Sequence, residues 1–130
     1  MSKALILASN TNAQAVANGG VVNFGNIVRR FGNCLYMSGG NVVAKGEGYY
    51  PLFVTLSFTA TAGTATIQIY KDGVEIPGAK VVITTVADTT FAITIPTAIR
   101  QRCCAESVIE VKINGVTANV VNASILMTKE

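Results

Sequence analysis

The sequence predicts an all-β sandwich or barrel, on three observations. Apolar and polar residues alternate with a period of two through several segments. Turn-forming clusters recur roughly every ten residues. No stretch carries apolar residues at helical spacing. The clearest segment is 52–59, where Leu52, Val54, Leu56 and Phe58 alternate with Phe53, Thr55, Ser57 and Thr59. That pattern gives a strand one face on a core.

The elements follow in order. Residues 3–9 form a first strand, and Asn10 to Asn18 is a polar excursion with a short edge strand at Gln14–Val16. Gly19-Gly20 turns the chain into Val21–Phe24, and Gly25-Asn26 breaks it before Ile27–Phe31. Gly32-Asn33 leads to Cys34–Met37, and Ser38 to Asn41 is a turn cluster before a short extended run to Ala44. The central strand then ends at Ala62-Gly63, and Ala65, Ile67 and Ile69 carry the alternation onward. Asp72-Gly73 suits a type I′ hairpin turn, which needs positive φ at both central positions. Pro77-Gly78 marks a bend, Lys80–Val86 is a strand, and Ala87 to Thr89 turns it. Thr90–Ile95 returns and Pro96 ends it, with Thr97–Arg102 a short crossing segment open to one helical turn. Ser107–Ile113 is a strand, Asn114-Gly115 a second type I′ signal, and Val116–Thr128 the last strand.

The count is roughly eight to ten strands, without linker, repeat or low-complexity run. A jelly roll is the sandwich whose first and last strands can lie side by side with the central ones. The 130 residues make one domain, 1–130, large enough to fold without metal or disulfide.

Composition points to assembly. Half of the residues are hydrophobic and 13% are charged, against about a quarter in ordinary soluble domains. No run approaches the ~20 apolar residues of a membrane helix. The excess is expected in a core plus an interface. Leu5-Ile6-Leu7 and Ile125-Leu126-Met127 are apolar on both strand faces, and Phe53 interrupts a polar face. Strands of this kind are covered on both sides. Bulges that re-aim the extra residues are the alternative. A second cover from a neighbouring subunit is the better reading, because these residues collect on strands expected to be neighbours.

Chemistry is sparse. The chain has no histidine, which removes the commonest general base and most zinc sites. Its seven carboxylates sit at turns or on polar strand faces. Gly19-Gly20 and Gly39-Gly40 lack the Gly-Lys-Ser/Thr of a phosphate loop. No catalytic residue, cofactor or metal ligand is assigned, and an enzyme is not expected. The net charge of +3 is scattered, which is no nucleic-acid footprint. Five apolar residues after Met-Ser-Lys are too few for a signal-peptide core, so synthesis in the cytoplasm without a leader is expected. The three cysteines allow a bond from Cys34 to Cys103 or Cys104, or three free thiols. Arg29, Arg30, Arg100 and Arg102 are the one charge concentration. They fall together if Cys34 approaches Cys103 or Cys104. They then either grip a partner's carboxylates or serve as rim charges. Tyr36, Tyr49, Tyr50 and Tyr70 suit either core-to-surface spacing or, as the lesser reading, sugar stacking.

Gly48-Tyr49-Tyr50, Ala62-Gly63-Thr64 and Tyr70-Lys71-Asp72-Gly73-Val74 resemble the small trimeric jelly rolls of the tumour-necrosis-factor and complement type. Asn10-Thr11-x-x-Gln14, Val21 to Gly25, Val28 to Gly32, Arg102-Cys103-Cys104 and Val121-Asn122-Ala123 are similar to small virion proteins of tailed phages and prophages. The resemblance spans nearly the whole chain. It implies a homotrimer built around the sheet that carries both termini. The axis-facing positions it implies are Tyr50, Phe53 and Phe91, with Leu5, Leu7, Ile125 and Met127 beside them. It also implies a virion location, as a head decoration or cement protein on the major capsid protein. A receptor- or carbohydrate-binding fibre tip is the alternative. No nucleic-acid or membrane partner is implied, and the chain lacks the Gly-x-y stalk and acidic calcium cluster of some complement-type relatives.

Overall fold

The computed structural model describes residues 3–102 and 105–130. Its strands are β1 (Ala4–Asn10), β2 (Gln14–Val16), β3 (Gly20–Val21), β4 (Asn26–Phe31), β5 (Leu35–Ser38) and β6 (Asn41–Lys45). They continue with β7 (Gly48–Ala60), β8 (Gly63–Lys71), β9 (Val74–Thr85), β10 (Thr90–Gln101), β11 (Glu106–Asn114) and β12 (Ala118–Lys129). Two six-stranded antiparallel sheets result. One runs β10-β7-β12-β1-β4, with β2 on β12; the other runs β5-β6-β11-β8-β9, with β3 on β11.

Period-two burial fixes what each strand gives the core. Ile6 and Ala8 of β1, Tyr50 to Phe58 at alternate positions of β7, and Ala123, Ile125 and Met127 of β12 line one inner face. Ala65, Ile67, Ile69, Ile109, Val111 and Ile113 line the other. The first and last strands pair along their length, from Ala4 opposite Lys129 to Asn10 opposite Ala123. This is the jelly-roll closure that the termini imply.

Asp72-Gly73 forms the expected hairpin, with φ of 52° and 81°. Asn114-Gly115 does not. Its flanking strands β11 and β12 belong to different sheets, and only Gly115 takes a positive φ. Glycine is needed here for close approach: a Cβ at Gly115 would overlap the Thr64 carbonyl oxygen. The Ala62-Gly63 turn likewise carries the chain from one sheet to the other.

Pro96 does not end a strand, and no crossing segment follows it. It pairs with Phe53 inside β10, which continues to Gln101. β10 is an edge strand, so a residue without an N–H is tolerated there. Pro77-Gly78 lies within β9 as a bulge, at the register shift against Gln68 and Tyr70. The buried Gln68 amide reaches the carbonyls of Ile76 and Ala79, each at 3.0 Å, and so satisfies backbone that the bulge frees. Of the expected Val21–Phe24 strand only Val21 pairs in a sheet, together with Gly20 from the expected turn, while Val22 and Phe24 are wholly buried in the core.

Candidate functional site

The outer face of the β10-β7-β12-β1-β4 sheet follows from the same alternation. Residues that leave the core on β1 are Leu5, Leu7 and Ser9; on β12 they are Asn122, Ser124, Leu126 and Thr128. Register sets them in rows. Arg29 faces Leu7, Leu7 faces Leu126, Leu126 faces Phe53, and Phe53 faces Pro96. The next row holds Phe31, Leu5 and Thr128, with Pro51 opposite Ala98 further across. Tyr49 pairs with Arg100, whose guanidinium lies 5.6 Å from the ring centroid. The other half of the face is polar, with Ser9, Ser124, Thr55 and Thr94 in one row.

The Leu7–Leu126–Phe53–Pro96 row is apolar across four strands, roughly 14 Å at the usual strand spacing. Phe53 is 48% exposed, Tyr49 60% and Phe31 54%. A contiguous apolar area on a sheet face is the surface expected of an interaction site. The start of β1 and the end of β12 flank it, because these strands supply its middle.

Leu5, Leu7 and Phe53 stand on this face, where the resemblance placed an interface. Tyr50, Ile125 and Met127 do not: each is wholly buried in the sandwich core. They have the parity of Leu52 and Ala123, whose side chains point inward. Phe91 is half-buried against the core, its ring centroid 5.9 Å from that of Phe58. The outward neighbours Tyr49, Pro51 and Leu126 stand on the outer face instead. Ser124 and Thr128 marked the outward parity of that strand, and Leu126 lies between them.

The four arginines do not converge. Arg29 and Arg30 lie on β4 and Arg100 on β10, the opposite edges of one sheet, with Arg102 just beyond β10. Arg30 points toward the other sheet and its Nε donates to the Leu35 carbonyl at 2.6 Å. On the far side Lys71 Nζ donates to the Arg100 carbonyl at 3.2 Å. Each open side of the sandwich thus has one cationic clasp.

The tyrosines also separate. Tyr50 is core, Tyr49 faces outward on its sheet, and Tyr36 and Tyr70 belong to the other sheet. Tyr36 donates to the Glu106 carboxylate, and this bond raises its pKa. Tyr70 lies under Lys112, 4.8 Å from its Nζ. The Tyr50 hydroxyl reaches the Lys45 and Gly46 carbonyls at 3.0 and 2.8 Å. Burial, then the neighbouring Cys34, pushes its pKa up to about 12. Among the described residues Cys34 has no disulfide partner; it is half-buried and accepts from Lys129 Nζ at 3.5 Å. Cys103 and Cys104 lie outside the described residues, and so does any bond to them.

Among the described residues no group of three or more His, Cys, Asp or Glu could hold a metal ion. Among them, too, no helix is long and apolar enough to cross a membrane.

No family model and no curated protein sequence matches the chain. Solved structures do. Murine APRIL at pH 5.0 superposes with a TM-score of 0.76 at 14% identity, over 99% of this chain and 100% of that one. The globular domain of zebrafish complement 1qA gives 0.68 at 7% identity, over 95% and 94%. The PRD1 vertex protein P5 gives 0.65 at 13% identity, over 98% and 96%. The chain therefore has the TNF-like jelly-roll fold.

Proposed function

We propose that the chain is a non-enzymatic virion structural protein of a bacteriophage. In this reading it is a homotrimer that decorates or cements the head. The observation that carries it is the apolar outer face made by Leu7, Leu126, Phe53 and Pro96. That face asks for cover, and copies of the same chain supply it in the trimeric reading. The fold is shared with a phage vertex protein, which supports a particle role. Its TNF- and complement-type neighbours support a trimer and a non-catalytic role.

The mechanism is mass action. A trimer bound across adjacent major capsid protein subunits stabilises the assembled shell by its binding free energy. Three linked contacts make weak single contacts tight. The test is the copy number of this protein per purified virion, measured by mass spectrometry against the major capsid protein. A number comparable to the capsid protein is expected. Absence from the particle would remove the virion reading.

A second reading has its own observation. At the end of the sandwich where strands change sheets, a shallow pit of about 450 Å³ is lined by Thr59, Thr61, Asp88, Thr117 and Asn119 together with four alanines, Ala15, Ala60, Ala87 and Ala118. Hydroxyls, an amide and one carboxylate suit a neutral polyol, as a sugar-binding fibre tip would require. A glycan array separates the readings: a cement protein shows no specific sugar, and a few trimers per virion would favour the tip.

A further inference from the structure

We infer that the free edge of β4 receives an extended acidic segment of a partner protein by strand addition. The inference deepens the attachment reading above, and rests on it for where the partner is found.

Among the described residues β4 pairs with β1 alone and ends its sheet. All six of its residues are exposed, although three are large and apolar: Ile27 at 44%, Val28 at 53% and Phe31 at 54%. Arg29 and Phe31 lean to the outer face, opposite Leu7 and Leu5. Ile27 and Arg30 lean to the inner side, opposite the buried Ala8 and Ile6. A register shift leaves Val28 outside the ladder. Bulges and charges can blunt an edge, but a merely blunted edge has no use for three exposed apolar side chains. Bulges also re-aim side chains beside functional sites.

The edge is built rather than frayed. Gly25 and Gly32 bound it at φ of 71° and 80°. A Cβ at either would press on β1, 2.7 Å from the Ser9 or the Lys3 carbonyl oxygen. The approach is fixed by Gln14, whose amide brackets the Asn23 backbone with bonds of 2.7 and 2.9 Å. Asn10 adds a third bond to the Asn23 carbonyl, and Asn23 Oδ1 accepts the Gly25 N–H. A preformed edge costs little ordering on binding.

The occupant follows from what the edge leaves unsatisfied. Its backbone groups call for another strand. Apolar side chains on both faces call for apolar residues at both odd and even positions of that strand. A subunit packed on the outer face would cover Phe31 but leave the backbone edge and Ile27. No Asp or Glu occurs on β1, β4 or β5, the strands around Arg29 and Arg30. Carboxylates are therefore the complement, since opposite charges across strands stabilise the pair.

The test uses the full chain with a short peptide repeating Val-Val-Glu-Glu, which carries valine and glutamate on both faces of a strand, and a Val-Val-Lys-Lys peptide as control. Amide hydrogen exchange at residues 26–31 is the readout, with binding followed by fluorescence anisotropy. The glutamate peptide is expected to slow that exchange, and the lysine peptide not to. Arg29→Glu is expected to reverse the preference by about tenfold in affinity, and its capture of the lysine peptide shows that it is folded. Three results would overturn the inference. They are binding that leaves exchange at 26–31 unchanged, equal protection by both peptides, and protection that rises with protein concentration without peptide. The last would assign the edge to a second copy. An abundant virion protein whose β4 ignores the peptide loses this inference and keeps its structural role.

Discussion

Leu126 lies directly opposite Phe53, and both side chains leave the sandwich on its outer face. Their sequence neighbours, Ile125 and Leu52, are wholly buried. One residue of parity thus separates a core position from a surface position on the same strand. Phe53→Glu is expected to leave the melting temperature nearly unchanged, because an exposed substitution costs within about 0.5 kcal/mol. In the trimeric reading it is expected to break self-association through the apolar face. Tyr50→Ala is expected to destabilise the fold by about 3–5 kcal/mol, as for other large buried aromatics. Thermal melts and sedimentation on the two variants separate these effects.

Tyr50 also gives a pH signature. Its folded pKa of about 12 stands above the unfolded value near 10. The raised value means that the folded state favours the protonated phenol. Its contribution is complete below about pH 10 and is lost as pH rises through about 12. Tyr50→Phe is expected to lower stability by about 1 kcal/mol at neutral pH through the lost hydrogen bond. The gap from the parent protein should then narrow between pH 10 and 12. Urea melts across that range measure it, and a gap that is constant with pH would contradict the assignment.

The adjacent arginines should behave differently. Arg30→Ala removes the bond to the Leu35 carbonyl and is expected to cost about 1–2 kcal/mol. Arg29→Ala is expected to cost less than about 0.5 kcal/mol, since Arg29 is exposed on the outer face. Equal losses in denaturant melts would contradict the clasp. A binding defect in a double variant therefore has to be read against the Arg30 single variant.

Two glycines at positive φ make a further contrast. At Gly73 a Cβ meets nothing within 4 Å, so Gly73→Ala bears only the cost of the conformation, about 1 kcal/mol. At Gly115 the Cβ would also strike the Thr64 carbonyl oxygen. Gly115→Ala is expected to cost at least about 2 kcal/mol more, measured by the same melts.

The strands and most of their inner faces were legible because burial on one side writes a period of two. Leu52 to Phe58 and Ile109 to Ile113 are cases. Sheet membership was not legible at Asn114-Gly115, because that dipeptide serves a sheet change as well as a hairpin. Pro96 misled for a related reason: a proline stops a central strand but not an edge, and edge position is a property of topology. At the candidate site, Leu5, Leu7 and Phe53 were readable as surplus apolar residues. Composition alone did not separate Tyr50, Ile125 and Met127 from Tyr49 and Leu126, whereas the parity of Leu52 to Phe58 on one strand and of Ser124 and Thr128 on the other does. The Gln14–Asn23 bracket and the Arg30 clasp are long-range pairings that no local pattern encodes.

The most direct measurement is the mass of the native chain in solution by sedimentation equilibrium, at micromolar concentration. Cover of the Leu7–Leu126–Phe53 face by copies of the same chain predicts three times the 13.6 kDa chain mass. A single 13.6 kDa species across the concentration range would contradict it and leave that face to a different partner.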